Sequence, residues 1–322
     1  MRGLLSLGGR RLFASNFAGL ANRLESLPLS FAISEHFGHE VCLDWPELDA
    51  FEVQGARTRR IHPWDRIGSI KVQKCNDALF YRLGNFRTII QRSTDSPSAV
   101  TDAHYLSTFQ RVRLKQPYVD ALREAFSKYD ARPVVGVHIR RGDFRVVDED
   151  SYDVMAKFHQ AIPLWWYDHA MRQFTRGVPD VAFFLSYSGP AEDIKALKET
   201  FPVFELPLSS NYERQRPTHT SIGHPVADLF GLACCNIIIA TPRSSFSHIP
   251  ANALGHPSKI IAPAASTNRD APMSRVLEHH GKRFAEWAAS LGEDDPRTII
   301  DAEDKLPRPA RPSLDWLQAA RP

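Results

Sequence analysis

The chain has 322 residues and a mass of 36.4 kDa, which suits two α/β domains better than one. With 43% hydrophobic and 24% charged residues it can bury a large core, which excludes disordered and collagen-like proteins. The net charge is only +3 and the charges show no dominant block, which argues against a dedicated nucleic-acid binder and leaves room for a local anion site.

The four cysteines are too few and too irregularly spaced for a disulfide framework or a zinc site, and two of them are adjacent: Cys42, Cys75, Cys234 and Cys235. No apolar run reaches the roughly 18 to 20 residues that a membrane helix needs. The opening residues contain arginines but no sustained apolar stretch, so we expect no signal peptide. The expectation is a soluble, cytoplasmic protein without a membrane span.

The first predicted unit is a βαβ segment. It comprises a strand at 11–15, a turn-rich loop at 16–22, a helix at 24–37 that Gly38 ends, and a strand at 41–44. Such a loop presents backbone N–H groups at a helix N-terminus, which favours an anionic ligand. A plain strand-to-helix connection explains the same pattern, because neither GxGxxG nor GxxxxGK[ST] is present.

Residues 45–130 show little periodicity until a predicted helix at 116–129. Beyond residue 133, strands and helices alternate, which is typical of a doubly wound domain. The predicted strands are 134–139, 181–186, 203–206, 236–240 and 259–262, and the predicted helices are 163–174, 191–200, 226–234 and 247–254. We therefore divide the chain into domains at 1–130 and 131–290, with an acidic, Pro-rich tail at 291–322 that includes a short C-terminal helix.

The most informative motif is GVHIRRGD at 136–143, where a predicted buried strand ends. Alternate residues of a strand share a face, so His138 and Arg140 point one way and Arg141 points the other. Open α/β sheets bind ligands at the carboxyl ends of their strands, and an arginine fork suits a diphosphate.

The two residues that end this motif have further expected roles. Gly142 would let the chain turn close to a ligand, and Asp143 would orient Arg141 or cap the next segment. A surface Arg–Asp pair beside a buried core histidine explains the same residues without a ligand.

A second polar cluster surrounds the predicted strand at 236–240. Ser244, Ser245 and Ser247 would donate to a phosphate or a ribose from the start of the next helix, although helix capping explains one of the three. Asp228 lies in an otherwise apolar helix and needs a partner if it is buried. Either a nucleoside contact or a position on an exposed helix face accounts for it.

The sequence lacks the motifs that several common enzyme chemistries require. No metal cage, HExxH, GxSxG or kinase set is present, and no Asp-x-Asp follows a strand. The nearest match is the acidic group at 148–150, but it lies in a loop among other acids, and exposure to solvent explains it more simply than metal binding does. A bound diphosphate would then be neutralised by arginine and backbone amides, without a metal ion.

Taken in chain order, the motifs resemble the α1,2-, α1,6- and protein O-fucosyltransferase superfamily. GVHIRRGD at 136–143 is similar to its first signature and GLANRLESLPLSFAISEHFG at 19–38 to its GxGNxL-type segment. FFLSYSGPAEDIKALKETF at 183–201 resembles its second signature and HPVADLFGLACCNIIIATPRSSFSHIPANAL at 224–254 its third. The chain departs from the family at Ala21, where a glycine is usual, and at Ser186-Tyr-Ser188, where a serine–aspartate pair is usual.

The resemblance implies an α/β fold of GT-B type, in which two Rossmann-like domains face each other across a cleft. The domain at 1–130 would be the acceptor side, and 131–290 would bind the nucleotide sugar. It also implies an inverting, metal-independent transfer of fucose from GDP-fucose, as donor substrate and without a cofactor, to a glycan-type acceptor. Two alternatives are a nucleotide- or glycan-binding protein without turnover, and a transferase that uses another nucleotide sugar.

The same match assigns roles to individual residues. Arg140 would bind the diphosphate and Arg141 would support the loop. His138 and Asp228 would contact guanosine, and the segment from Ser244 to Ser247 would hold phosphate or ribose. The other substrate-binding positions are Asn22, Gly142, Asp143, Ser245 and Phe246. The catalytic base stays open between Asp143, Glu25 and Asp44.

Overall fold

In a computed structural model of the chain, the described residues are 9–153, 160–206, 225–242, 244–256, 258–263, 267–270, 276–279, 297–300 and 306–318. The chain divides into two compact units between Lys115 and Gln116. The helix at 116–127 belongs to the second unit, because Phe126 packs with ring centroids 5.2 Å from both Phe184 and Phe204. The division at 1–130, 131–290 and 291–322 stays a prediction.

The first unit contains a five-stranded parallel sheet in the order β4-β2-β1-β6-β5 and an antiparallel pair, β3 and β7. Its strands are β1 (Arg11–Ala14), β2 (Glu40–Leu43), β3 (Phe51–Val53), β4 (Ala56–Thr58), β5 (Ile70–Val72), β6 (Thr88–Gln91) and β7 (Val112–Leu114). Its helices are α1 (Leu20–Glu25), α2 (Leu27–Phe37), α3 (Asp77–Arg82) and α4 (Asp102–Gln110). Short 3-10 helices lie at Pro46–Asp49, Pro63–Arg66 and Leu83–Asn85.

The helix predicted at 24–37 is in fact two helices. It starts earlier, at Leu20, and is interrupted at Ser26. Pro28 has no N–H with which to continue the hydrogen bonds of α1, but it is tolerated in the first turn of α2. Gly38 ends α2 with a φ of 71°, as its left-handed preference predicts.

The second unit contains a seven-stranded sheet in the order β11-β10-β8-β12-β13-β15-β16, of which β15 and β16 are antiparallel to their neighbours. The seven strands are β8 (Val134–Arg140), β10 (Ala182–Ser188), β11 (Val203–Phe204), β12 (Ile237–Ile239), β13 (Lys259–Pro263), β15 (Val276–His279) and β16 (Arg297–Ile300), and a separate antiparallel pair is formed by β9 (Ser151–Tyr152) and β14 (Thr267–Asn268). Its helices are α5 (Gln116–Ser127), α6 (Leu164–Gly177), α7 (Lys195–Thr200), α8 (Pro225–Ala233) and α9 (Ser245–Asn252), with a 3-10 helix at Ala191–Ile194.

The alternation of side chains along β8 sets the architecture around the sheet. Val137 and Ile139 are buried in a core that includes Trp166 and Tyr167 of α6. The other face of the same strands packs on α8, where Gly231 lies against Phe184. Because helices cover both faces, strands β8 and β10 are buried along all but their last residue, and their polar side chains are confined to the carboxyl ends.

The segment 306–318 lies along the second unit. The Val134 N–H donates to the Ala310 carbonyl at 3.0 Å, and the Trp316 ring stacks on Phe230 at 5.6 Å. The prediction of a short helix near the C-terminus is wrong for the described residues, because 306–318 contain only a turn at Asp315 and Trp316. The Ser313 N–H donates to the Cys234 carbonyl at 2.9 Å, so contacts with the rest of the second unit hold this segment in place of helical hydrogen bonds.

All four cysteines are buried and free, so they contribute to packing. Within the part of the chain that is described, no helix combines the length and the apolar character needed to cross a membrane.

Candidate functional site

The carboxyl ends of β8 and β12 mark the reversal point of the second sheet. From β8 the chain builds β10 and β11 on one side, and it then returns to build β12 and β13 on the other. Open α/β sheets bind their ligands at such switch points. The two polar clusters found in the sequence meet at this place, where His138 contacts Ser247 and Arg140 contacts Ser244.

His138 lies at the centre of this meeting point. Its Nδ1 atom is 2.7 Å from the Ser247 hydroxyl, and its ring centroid lies 5.0 Å from that of Phe246. Burial, together with the nearby positive charge of Arg140, lowers the pKa of His138 to about 3. The imidazole is therefore neutral at physiological pH and serves as a hydrogen-bonding group.

Arg140 is held in a fixed orientation at the end of β8. Its Nε donates to Asp143 Oδ1 at 2.7 Å and its Nη2 donates to the other oxygen of the same carboxylate. Its Nη1 lies 3.5 Å from the Ser244 hydroxyl, and the guanidinium lies 4.8 Å from the Phe144 ring centroid. Asp143 thus occupies one edge of the guanidinium, and the other edge faces Ser244 at the start of α9.

Arg141 is placed quite differently from Arg140. Its side chain is 8% exposed, donates to Glu149 at 2.7 Å and pairs with Asp193 at 3.1 Å. The expectation that Asp143 orients Arg141 is therefore wrong, because strand alternation sends Arg141 to the opposite face. The prediction that Arg140 and Arg141 point to opposite faces is confirmed.

Ser244 occupies the N-cap position of α9, but its hydroxyl makes no capping hydrogen bond. Helix capping therefore does not account for this serine, whose hydroxyl lies beside Arg140 instead. The Ser247 hydroxyl is committed to His138. Ser245 is half-buried in the first turn of the same helix, which places its backbone at the N-terminus.

Asp228 lies in α8 and is 5% exposed, so the exposed-face alternative is wrong. The Ser186 hydroxyl donates to its Oδ2 atom at 3.3 Å. Ser186 is the register partner of His138 on the neighbouring strand, which brings Asp228 to the same group of residues. Burial raises the pKa of Asp228 to about 8, so the carboxyl is largely protonated at neutral pH.

The remaining predicted residues are less well defined. Gly142 has an ordinary negative φ, and a Cβ there would lie 3.8 Å from the nearest atom, so its backbone does not require glycine. Asn22 and Glu25 lie on α1 of the first unit. Asp44 follows β2 and accepts the Ile61 N–H at 3.4 Å. Their roles toward a substrate stay predictions.

The sequence analysis missed two residues that hold the end of β8. The Thr241 hydroxyl donates to the His138 carbonyl at 2.9 Å, and the Tyr167 hydroxyl lies 3.0 Å from that of Thr241. Thr241 could have been found, because it follows the predicted strand at 236–240. Tyr167 comes from α6 and carries no local signal.

The acidic group at 148–150 forms a turn. Asp148 accepts the Asp150 N–H at 2.9 Å and the Ser151 hydroxyl at 2.5 Å, and these bonds lower its pKa. In the described part of the chain, no group of three or more His, Cys, Asp or Glu side chains is arranged to hold a metal ion.

Comparison with known proteins shows the fold. No family model and no curated protein matches the chain. The NodZ α-1,6-fucosyltransferase structure soaked with GDP-fucose matches with a TM-score of 0.51 and 17% identity, over 85% of this chain and 99% of that one. The selenomethionine form of NodZ from Bradyrhizobium matches with a TM-score of 0.50 and 16% identity, over 85% and 99%.

A structure of Arabidopsis thaliana FUT1 in complex with GDP gives a TM-score of 0.49 and 11% identity, over 93% of this chain and 80% of that one. We base the fold on the two NodZ structures alone. The predicted α/β architecture of GT-B type, with two Rossmann-like units, is confirmed. The chain is therefore similar in fold to the NodZ fucosyltransferase.

Proposed function

We propose that the chain is an inverting, metal-independent glycosyltransferase that moves fucose from GDP-fucose to a glycan-type acceptor. One observation carries the proposal. In a NodZ-like fold, Arg140 stands at the sheet switch point with one guanidinium edge fixed by Asp143 and the other beside Ser244. A pre-oriented arginine fork next to a helix N-terminus is suited to a diphosphate.

The charge that develops on the leaving GDP determines what the site must supply. Arg140 offers a permanent positive charge, and the N-terminus of α9 adds backbone N–H groups with a partial positive charge. Preorganised donors of this kind are typically worth about 100- to 1,000-fold in turnover. These groups support a reaction that needs no metal ion.

The neighbouring residues suit a guanine nucleoside. Ionised Asp228 would offer two carboxyl oxygens as acceptors to the two adjacent N–H donors that guanine presents on its Watson–Crick edge, and these donors would lower the raised pKa of the carboxyl. His138 and Phe246 offer a neutral ring and an apolar ring, with centroids 5.0 Å apart, against which a nucleoside can pack. These features favour GDP over nucleotides whose bases lack that pair of donors.

Asp143 fits a positioning role better than the role of catalytic base. Inversion requires the base to act on the acceptor hydroxyl, on the side of the sugar opposite the leaving group. Asp143 instead holds the arginine that we assign to the leaving diphosphate. Glu25 and Asp44 remain as possible bases.

The test combines binding with turnover. Thermal-shift measurements with GDP, UDP, CDP and ADP should show the largest shift for GDP. A nucleotide present at a hundred times its Kd stabilises the folded protein by about 2.7 kcal/mol, which such a measurement detects readily. GDP release from GDP-fucose, with a panel of oligosaccharide acceptors, should then continue after EDTA treatment.

Other results of these two measurements would indicate a different function. A larger shift with UDP, CDP or ADP would indicate another nucleotide sugar. GDP binding without release would indicate a binding protein. Activity that EDTA abolishes and manganese restores would refute metal independence.

A further inference from the structure

The segment 54–74 of the first unit concentrates positive charge. This segment, here called the basic crossover, contains β4, the 3-10 helix Pro63–Arg66 and β5. It carries six Arg and Lys residues against one acid, Asp65, a net +5 in a chain whose total is +3. Glu40 of β2 pairs with Arg57 at 3.1 Å and neutralises part of this charge, and the exposed cations that attract anions are Arg60, Arg66, Lys71 and Lys74.

The basic crossover also exposes two large apolar side chains. Trp64 is 81% exposed and Ile67 is 70% exposed, more than any other large apolar residue in the described chain. Trp64 lies in the 3-10 helix and Ile67 is its C-cap residue, whose N–H donates to the Trp64 carbonyl at 3.3 Å; this exposed apolar pair is here called the ledge. The exposed indole is a flat apolar face that a ligand can cover, and it carries an N–H that can donate to that ligand.

The ledge is held rigidly by the acid beneath it. Asp65 is 7% exposed, pairs with Arg11 at 3.3 Å and with Arg59 at 3.4 Å, and accepts the His62 N–H at 3.1 Å. These contacts neutralise the acid of the segment and fix the backbone on either side of Trp64. The backbone that carries Trp64 is thus already ordered, which reduces the backbone entropy that binding has to overcome.

We propose that the basic crossover binds an acidic glycan, with Trp64 stacking on a sugar ring and Arg60 and Arg66 pairing with its anionic groups. The proposal rests on the proposed function, because it names the class of acceptor that the transferase would hold. A flat aromatic face suits the apolar C–H face of a pyranose, and arginine suits carboxylate groups. Two apolar side chains are too few to anchor a protein in a bilayer.

The experiment measures sugar binding without the donor, so its result does not depend on fucosyl transfer. Calorimetric titration with oligogalacturonate, a chain of uronic acids, is compared with a neutral malto-oligosaccharide of equal length. Trp64→Ala should weaken oligogalacturonate binding at least about tenfold. Tyr81→Ala removes a 60%-exposed aromatic from α3 of the same unit and should leave binding unchanged.

The charge contribution has its own variant. Arg66→Gln should weaken oligogalacturonate binding and reduce its sensitivity to salt, while the neutral sugar binds weakly to every variant. Melting temperatures should stay close to the parent value, because both side chains are exposed.

Three results would overturn the proposal. One is no binding of oligogalacturonate by the intact protein, and another is equal binding by the Trp64→Ala protein. The third is binding only to anionic phospholipid vesicles or to single-stranded DNA. If oligogalacturonate binds but no GDP is released from GDP-fucose, the proposed function fails and the glycan site stands.

Discussion

Arg140 and Arg141 are adjacent and chemically identical, yet the structure predicts opposite consequences when each is replaced by alanine. Arg140 is 30% exposed and its partner Asp143 is 43% exposed. Ion pairs with this much solvent contact contribute about 1 kcal/mol or less to stability. Arg140→Ala should therefore shift the melting temperature by no more than roughly 2 to 4 °C.

The effect of Arg140→Ala on turnover should be far larger. Loss of a preorganised group that faces developing charge costs about 3 to 4 kcal/mol, a fall of 100- to 1,000-fold. Arg140→Lys should recover little. The ammonium keeps the charge, but it cannot hold Asp143 along one edge and present a second edge toward Ser244.

Arg141→Ala should act mainly on stability. The Arg141 side chain is 8% exposed, while its partners Glu149 and Asp193 are 59% and 29% exposed. Breaking a fully buried pair costs about 3 to 5 kcal/mol, so we expect about 2 to 3 kcal/mol here, because water reaches the two acids. Turnover of the folded protein should fall less than tenfold, by about 1 kcal/mol.

The assay is steady-state GDP release for the three variants at a temperature where each is folded, together with their melting temperatures. The reasoning is refuted if Arg140→Ala keeps near-normal turnover while folded. It is also refuted if Arg141→Ala loses turnover as strongly as Arg140→Ala at an unchanged melting temperature.

Three further perturbations test the surroundings of the site and the first unit. The raised pKa of Asp228 makes the folded state hold a proton that the unfolded state has lost, so stability should fall between about pH 4 and pH 8. The lowered pKa of His138 acts in the opposite sense and increases stability as pH rises, but only up to about pH 6.5. Above that pH, urea unfolding should therefore show stability falling with pH in the parent protein and not in Asp228→Asn. Ser247→Ala removes the partner of His138 Nδ1 and should cost about 1 to 2 kcal/mol in unfolding free energy and weaken GDP binding in calorimetry; unchanged values of both would contradict that contact. Arg23→Ala leaves fully buried Glu47 without its partner and should cost about 3 to 5 kcal/mol in the same urea assay, whereas Arg23→Met with Glu47→Leu should cost less.

The five parallel strands of the second sheet could be predicted from sequence because each contains a run of apolar residues, whereas β15 and β16 were not predicted. The strand predicted at 134–139 is observed at Val134–Arg140, and that predicted at 236–240 is observed at Ile237–Ile239. Strands covered on both faces carry this signal along their whole length.

Much of the first unit could not be predicted in this way. Its strands have three or four residues, too few for a period to be recognised, and they lie among turn formers. Strand β3 (Phe51–Val53) pairs with β7 (Val112–Leu114) across a long stretch of chain, and local sequence does not encode such a pairing. The buried pair of Arg23 and Glu47 escaped notice for the same reason.

At the site too, features set by neighbouring residues in the chain could be predicted, and contacts between distant segments could not. Strand alternation was enough to place His138 and Arg140 together and Arg141 apart. The partner of Asp143 was assigned wrongly, because it depends on how the chain turns after Gly142. The pairing of Ser186 with Asp228 joins two elements that only the folded sheet brings together.

The most direct test of the proposed nucleotide site is a crystal structure of the chain with GDP. We predict that diphosphate oxygens lie within about 3 Å of the Arg140 Nη atoms and the Ser244 hydroxyl, with the guanine N–H donors on Asp228. GDP bound away from the ends of β8 and β12, or bound there with no phosphate contact to Arg140, would contradict it.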